Sequence, residues 1–211
     1  MGPRTERRQQ HGEESRRRIL DATVEIAAER GYEGTSIALV SERSGLPRSS
    51  IYWHFRDKDD LLAAVIERSY HLWRERLIAA GSARTPDLDR AGALREITAA
   101  IAASLLDQPE FLRLGMMLTL ERRPVEAKAR ELFVGIRNEV LAFATREFQT
   151  MLADVSAAER EAVARKLAAF MLAAADGLFL AYQLAPDTFD LLGQFELLAI
   201  VVDAAWDRLT V

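Results

Sequence analysis

The sequence predicts an all-α protein with a three-helix N-terminal domain followed by a larger helical domain. Helix-forming residues dominate the 211-residue chain, and β-branched runs that alternate with polar residues are missing. Prolines and glycines divide the chain into segments of helical length. Because hydrophobic residues make up 49% of the chain, these segments can bury a core.

Three helices are predicted at the N-terminal end, the second and third of them short. The first ends at Gly31, whose permissive backbone suits a C-terminal cap. The second begins at an N-cap, Thr35 or Ser36, whose side-chain oxygen can accept a hydrogen bond from the first turn. Gly45 then allows a tight turn, and Pro47 has the φ angle of a first helical turn. The predicted helices cover residues 15–30, 36–44 and 47–55.

Longer helices are predicted in the rest of the chain. Asp57 is expected to cap a fourth helix that extends to about Ala80, because acidic groups are stabilised at a helix N-terminus. The helices beyond it are separated by Pro109, Pro124 and Pro186, since proline cannot continue a helix interior. They are expected at residues 88–106, 110–121, 125–154, 157–185 and 188–209.

The composition restricts the class and location of the protein. Without cysteine, the chain has neither disulfides nor a thiolate zinc site. Residues 1–18 contain no apolar segment, so we expect no signal peptide and a cytoplasmic protein. The apolar run 167–185 approaches the length of a membrane span, but Asp176 at its middle would cost about 2.5–3.5 kcal/mol in a bilayer. We therefore expect a buried helix of a soluble protein.

Charge is distributed unevenly along the chain. The net charge is −4 overall, with +2 over residues 1–56 and −6 over residues 57–211. A phosphate-binding surface is therefore expected at the N-terminal end. Residues 1–14 are expected to be a flexible arm, which either adds phosphate or minor-groove contacts or serves as a solubilising tail. The arginines concerned, including those that start the first helix, are Arg4, Arg7, Arg8, Arg16, Arg17 and Arg18.

The second and third predicted helices have the arrangement of a helix-turn-helix, whose second helix enters the major groove of DNA. In the stretch SGLPRSSIYWHF (residues 44–55), helical spacing places Ile51 and Phe55 on one face, toward the other helices. The opposite face and its flanks carry a cation, a hydroxyl and two aromatic rings: Arg48, Ser49, Tyr52 and Trp53. Arginine can donate two hydrogen bonds to guanine, and hydroxyls suit bases or phosphates, so this pattern predicts a DNA-reading helix.

The same region combines several features in a fixed order. They are a Gly-Tyr that ends the first helix, a Thr-Ser that opens the second, the Tyr-x-x-Phe of Tyr52 and Phe55, and Lys58 ahead of a leucine pair. With these features, residues 17–62 resemble the TetR family of bacterial transcriptional regulators in the stretch ILDATVEIAAERGYEGTSIALVSERSGLPRSSIYWHFRDKDDLL. The resemblance implies phosphate contacts by Thr35, Ser36, Tyr52 and Lys58. It implies contacts with base edges or the adjoining backbone by Arg48, Ser49, Trp53 and His54, although Trp53 could instead pack against the first helix.

The resemblance also implies a domain plan and partners. We expect a helix-turn-helix DNA-binding domain over residues 15–56 and a helical ligand-binding and dimerisation domain over residues 57–211. The implied function is a homodimeric repressor that binds a palindromic operator in double-stranded DNA and is released by a small molecule, with no cofactor, metal or membrane partner. Open alternatives are an activator and a helical interaction scaffold whose helix-turn-helix is not used.

The last two helices offer candidates for the dimer surface, the alternative being that both complete a monomer core. The penultimate helix contributes small or apolar residues and the last helix an apolar face: Ala174, Gly177, Leu178, Ala181, Phe195, Leu198, Val202 and Trp206. A ligand pocket would lie between helices, lined by aromatic and methionine side chains that are otherwise core. These candidates are Trp73, Met116, Met117, Phe133, Phe170 and Phe179.

Asp176 is the other ligand-binding candidate, because an unpaired carboxylate is costly to bury and therefore needs a partner. The partner could be an arginine across a dimer interface, a hydroxyl or backbone donor, or a cationic ligand. An enzyme is not expected. The three histidines, His11, His54 and His71, are scattered, and the chain contains no phosphate-binding glycine loop, zinc-helix motif or nucleophile elbow.

Overall fold

A computed structural model describes residues 3–81, 88–120, 128–152 and 156–210. Within these ranges the chain forms nine helices and no strand, which confirms the all-α prediction. The helices are α1 (Pro3–Gly34), α2 (Ile37–Ser44), α3 (Arg48–His54), α4 (Lys58–Gly81), α5 (Arg90–Asp107), α6 (Glu110–Leu120), α7 (Lys128–Met151), α8 (Ala157–Leu184) and α9 (Leu191–Leu209). Pro124, the predicted helix ends at 121, 125 and 154, and the side chains of Arg4, Arg7 and Arg8 lie outside the described part.

Helix α1 is longer than the sequence predicted. It begins at Pro3 rather than Ser15, so the expected flexible arm is helical from residue 3 onward. Proline suits a first helical turn, and the residues after it are mainly arginine, glutamate and glutamine, which favour helix. The predicted break at Gly31 is present as a kink, where φ is 70°.

The helices form two compact units. Unit 1 comprises residues 1–71 and 110–134, and unit 2 comprises residues 72–109 and 135–211. Helices α4 and α7 each run from one unit into the other. The predicted division of the chain at residue 57 differs from these limits, because α6 packs on α1 and belongs to unit 1.

The core of unit 1 joins the first four helices. Ile19 of α1, Val40 of α2, Ile51 of α3 and Leu61 of α4 are all fully buried. Burying side chains of this size contributes about 1.5–3 kcal/mol each. The outer contacts between α1 and α2 are polar, as Arg43 pairs with two glutamates of α1. Helices α1 and α2 therefore pack together and support α3.

In unit 2, helix α9 packs against α5 and α8. This packing contradicts the predicted dimer face of α9, since Phe195, Leu198, Val202 and Trp206 are all buried inside the chain. They complete a monomer core, which was the open alternative. Arg90 of α5 closes the same contact, because its guanidinium pairs with Asp203 and Asp207 at 2.6 and 2.7 Å and lies 5.1 Å from the centre of the Trp206 indole.

The outer faces of α8 and α9 remain apolar and exposed. On α8 these residues recur about every 3.5 positions: Phe170, Ala173, Gly177, Leu180 and Leu184. On α9 they are Leu197, Ile200, Val201 and Ala204. Among the described residues, one helix, Glu159–Leu184, is long and apolar enough to span a membrane by length and composition, and 22% of that apolar window is buried. The expectation of a buried helix is therefore wrong for one face of α8, because only the opposite face packs within the chain.

Candidate nucleic-acid interface

The turn between α2 and α3 is fixed by local hydrogen bonds. The backbone N–H of Leu39 donates to Ser36 Oγ at 3.3 Å, which confirms Ser36 as the N-cap of α2. Gly45 has φ 65°, a conformation that favours glycine, and ends α2. The Ser41 hydroxyl then donates to the Leu46 carbonyl at 2.7 Å across the turn. These contacts set the position of α3 relative to α2.

Helix α3 divides into the two faces expected from its sequence. Ile51 and Phe55 are buried against the other helices of unit 1. Arg48 and Ser49 are exposed, as are Tyr52 and Trp53, whose exposed fractions are 55% and 74%. The predicted separation of faces is confirmed. A cation, a hydroxyl and two aromatic rings thus form one outward surface, which we call the α3 surface.

Arg48 differs from Arg18 and Arg43 of the same unit in its lack of protein partners. Arg18 Nη2 donates to the Ser44 carbonyl at 2.6 Å, and Arg43 is held by Glu25 and Glu29. Those glutamates raise the pKa of Arg43 through hydrogen bonds. Within the described ranges, no hydrogen bond or ion pair engages the Arg48 guanidinium. Its donors are therefore free to meet an external acceptor.

His54 lies at the end of α3, half-buried between rings. Its ring centre is 4.5 Å from that of Trp53 in an edge-on arrangement and 5.9 Å from that of Phe55. Burial lowers the pKa of His54 below its ordinary value, and the positive charge of Arg16 lowers it further. The neutral imidazole is therefore favoured at pH 7, and it can donate one hydrogen bond and accept one.

Two residues that were predicted to contact phosphate, Thr35 and Lys58, have side-chain hydrogen bonds within unit 1. Thr35 is only 1% exposed, and its hydroxyl donates to the Gly31 carbonyl at 2.7 Å. Thr35 is thus removed from the predicted DNA surface, because its buried hydroxyl is hydrogen-bonded to the residue at the kink of α1. The Lys58 ammonium donates to the Tyr32 carbonyl at 3.2 Å and lies 4.2 Å from the centre of the Tyr32 ring. One donor of the Lys58 ammonium is therefore already used in a hydrogen bond with the end of α1.

Beside Lys58, the first turn of α4 carries an acidic pair whose partners the sequence did not indicate. The backbone N–H of Lys128, at the start of α7, donates to Asp59 Oδ2 at 2.7 Å. Tyr32 donates its hydroxyl to the other oxygen of Asp59 at 3.3 Å, and the Lys128 ammonium pairs with Asp60. Because Asp59 and Lys128 are 69 positions apart, no local pattern could reveal this contact. The carboxylate of Asp59 supplies a hydrogen-bond acceptor to the first turn of α7.

The predicted ligand-binding residues fall in both units. Met116, Met117 and Phe133 belong to unit 1, whereas Trp73, Phe170, Asp176 and Phe179 belong to unit 2. Phe133 and Phe179 are core residues, and Phe170 is exposed. In unit 1, Met117 lines an apolar cavity of about 10 Å³, which has room for about one water. Its other lining residues are Ala27, Tyr32, Leu62, Ile66, Leu114 and Leu118.

Asp176 pairs with an arginine of the same chain, which was not one of the three expected partners. Arg137 Nη2 donates to Asp176 Oδ2 at 2.5 Å, from α7 of the same chain rather than across a dimer interface. Burial raises the pKa of Asp176, while the charge and hydrogen bond of Arg137 oppose this rise. The pair explains how the apolar helix α8 accommodates a carboxylate.

Comparisons with known proteins agree with the arrangement of α1 to α4. The family model described as "Bacterial regulatory proteins, tetR family" matches residues 19–65. The HTH-type transcriptional regulator TtgR of Pseudomonas putida is 28% identical over 200 residues, which cover 90% of each chain.

Solved structures resemble almost the whole chain. SmeT, the repressor of the Stenotrophomonas maltophilia multidrug efflux pump SmeDEF, has a TM-score of 0.65 and 20% identity, with 90% of this chain and 89% of SmeT covered. A transcriptional regulator from Saccharomonospora viridis in complex with choline has a TM-score of 0.67 and 22% identity, with 90% and 96% covered. The helix-turn-helix, its exposed α3 surface and these matches together show that the chain belongs to the TetR family of bacterial transcriptional regulators.

Proposed function

We propose that this regulator is a repressor that binds a palindromic operator as a homodimer and leaves it when a small molecule binds. The α3 surface is the observation that carries the proposal. It combines an unengaged arginine with hydroxyls and aromatic rings, while Ile51 and Phe55 hold the helix rigidly from behind. Rigid presentation of hydrogen-bond donors is what sequence-specific reading of a major groove requires.

Each residue of the surface has a role that fits its chemistry. Arg48 donates to guanine O6 and N7, and Ser49 binds a base edge or a phosphate. Trp53 and His54 contact base edges or the adjoining backbone, and Tyr52 donates its hydroxyl to a phosphate. Other phosphate contacts are made by Ser36 and by the remaining donors of Lys58. Thr35 is not included, since its side chain is buried.

The dimer forms through the outer faces of α8 and α9. A palindromic operator requires two recognition helices about 34–36 Å, or a multiple of this spacing, apart. The apolar repeat of α8 at intervals of about 3.5 residues is typical of a helix that packs along another helix. Gly177 lies within this repeat, and a side chain there would meet no atom within 4 Å. The partner helix can therefore approach α8 closely at this glycine.

A small molecule bound between the helices of residues 57–211 would favour an arrangement in which the two recognition helices no longer fit both halves of the operator. A ligand shifts this equilibrium only through a difference in its affinity for the two states. SmeT, a repressor of similar fold, supports the proposed repression. The choline complex of the similar Saccharomonospora viridis regulator supports the proposed binding of a small molecule. The α4 helix, which begins beside the DNA-binding helices and continues into unit 2, would carry the change. A cytoplasmic location follows from a DNA partner.

The proposal is tested by selection of operator DNA. Purified protein is mixed with random duplex DNA at two salt concentrations, and the retained DNA is sequenced. We expect a palindrome whose retention weakens with salt, since phosphate contacts release counterions. Arg48→Ala should lose about 1–3 kcal/mol of binding free energy at one base position in each half-site. Arg146→Ala, which removes an exposed arginine of α7, is the control and should bind like the wild type.

Two results would redirect the proposal. Failure to enrich any sequence, by a protein that is dimeric in light scattering, would favour the helical interaction scaffold. A selected operator that increases transcription from a reporter promoter would instead identify an activator.

A further inference from the structure

We propose that the N-terminal extension of α1, residues 3–14, positions the recognition helix α3. Gly12 of the extension holds the indole of Trp53, and this makes Trp53 a specificity-determining residue of the α3 surface. The positioning is a property of the free protein, whereas the specificity role rests on the proposed operator binding.

Three successive turns of α1 lie alongside α3 and the residue that ends it. Ile19 is fully buried in the core of unit 1. One turn earlier, the guanidinium of Arg16 lies 5.6 Å from the centre of the Phe55 ring. One further turn earlier, a Cβ atom at Gly12 would lie 3.7 Å from Trp53 Cη2 and Cζ3. Residues 12, 16 and 19 share one helix face, so α1 continues to contact α3 beyond the end of the buried core.

The indole of Trp53 is therefore restricted although it is exposed. The ring of His54 contacts it edge-on, with centres 4.5 Å apart, and the backbone of α1 at Gly12 approaches the six-membered part of the indole. The remaining 74% of the side chain faces outward. A large aromatic group that is fixed before binding loses little conformational freedom on binding, which makes it an effective contact.

Glycine permits this approach because it adds no side chain between the helices. A single Cβ at 3.7 Å would be an ordinary contact. We expect the further carbons of a larger side chain such as leucine to compete with the indole for the space beside α1. Glu13, the next residue, is exposed and offers a matched position on the outside of the same turn. The contact thus depends on the small size of residue 12 and on the helical state of the extension.

A fixed indole edge discriminates between bases differently from Arg48. It makes no paired hydrogen bonds to a base edge, but it offers apolar surface of defined shape, which fits the methyl group of thymine and excludes polar groups of similar size. Loss of its position should therefore relax the sequence preference at particular base pairs. General phosphate affinity, which depends on charge, should change less.

The first experiment measures the position of Trp53 in the absence of DNA. Tryptophan emission is quenched with acrylamide in the full chain, and Trp53→Phe identifies the share of Trp53, since Trp73 and Trp206 are 8% and 5% exposed. Deletion of residues 2–13 and Gly12→Leu should both increase the quenching of Trp53. Glu13→Leu, which adds the same side chain on the outer face, should leave the quenching at the wild-type value.

The second experiment repeats the operator selection with the same variants. We expect the deletion and Gly12→Leu to lose preference at the base pairs that Trp53→Phe also affects, by about 5- to 150-fold, the usual range for one base-pair contact. The positions affected by Arg48→Ala should keep their preference. Replacement of Arg4, Arg7 and Arg8 by glutamine should reduce the salt dependence and keep the base preference.

The two experiments separate the possible failures. Unchanged quenching in the deletion variant would overturn the positioning role of Gly12. Changed quenching with an unchanged base preference would overturn the specificity role of Trp53. A wild type that selects no DNA would remove the specificity role together with the proposed function, while the quenching alone would still decide the positioning.

Discussion

Substitution of Gly115 by alanine should destabilise the protein strongly, because α6 and α7 meet at this glycine. A Cβ atom at residue 115 would lie 2.0–2.3 Å from three ring carbons of Phe133, whereas carbon atoms pack at about 3.5–4.0 Å. Phe133 is buried and its ring centre is 5.3 Å from that of Phe111, so the ring has little room to move. Overpacking costs about 1–3 kcal/mol, and we expect the upper end. For a chain of this size, the melting temperature should fall by about 6–12 °C.

The assay is thermal and urea unfolding, with Gly135→Ala as the matched control. Gly135 is also a helical glycine, but a side chain there would meet no atom within 4 Å. Its substitution should stabilise the chain by about 0.5–1 kcal/mol through helix propensity. Phe133→Leu should recover part of the loss in the Gly115→Ala background, with a coupling free energy of about 0.5–3 kcal/mol. If Gly115→Ala were as stable as Gly135→Ala, the inferred contact between α6 and α7 would be refuted.

Three further predictions concern the polar contacts and the dimer. Arg90→Ala should lower the free energy of unfolding by only about 1 kcal/mol, because both ion pairs are partly exposed. The difference from the wild type should shrink in high salt, and urea unfolding at two ionic strengths measures this difference. Because the folded pKa of His54 lies below its ordinary 6.5, the unfolded chain binds more protons, so stability should fall as the pH decreases from about 6.5 toward the folded pKa. His54→Gln should lack this part of the pH dependence, and an identical pH profile would contradict the assigned shift. Ile200→Asp on the outer face of α9 should convert the proposed dimer into monomers in sedimentation, whereas Arg146→Asp should not; a dimeric Ile200→Asp protein would exclude this face.

The helices themselves could be predicted from the sequence because their signals are local. Gly45, Pro47 and the capping residues act within one or two turns, and the division of α3 into faces follows from helical spacing alone. The predicted roles of Ile51 and Phe55 as buried anchors were confirmed for this reason. The extension of α1 to Pro3 was missed, since a charged segment without apolar residues has no face that periodicity could reveal.

The assignment of faces to partners could not be predicted in the same way. The apolar stripe of α9 indicates that a face is covered, but it does not indicate which helix covers it. Phe195 and Trp206 are buried within the chain, where α9 packs against α5 and α8, and the exposed apolar residues lie on the opposite side. The pairing of Asp176 with Arg137 is likewise a contact between distant segments. Sequence spacing fixes which residues share a helix face, whereas the partner of that face depends on the tertiary fold.

The hydrogen bond between Asp59 and the start of α7 restricts how the proposed ligand response can be transmitted through the chain. Helices α4 and α7 are joined at their N-terminal ends in unit 1, and both continue into unit 2. If one of them slid along its axis while the other stayed in place, the Asp59 contact and the neighbouring ion pair between Lys128 and Asp60 would break. With the contact intact, the two helices must shift together at this end. A displacement of α7 would therefore reach the start of α4, just beyond the end of the recognition helix, without any ligand touching α4.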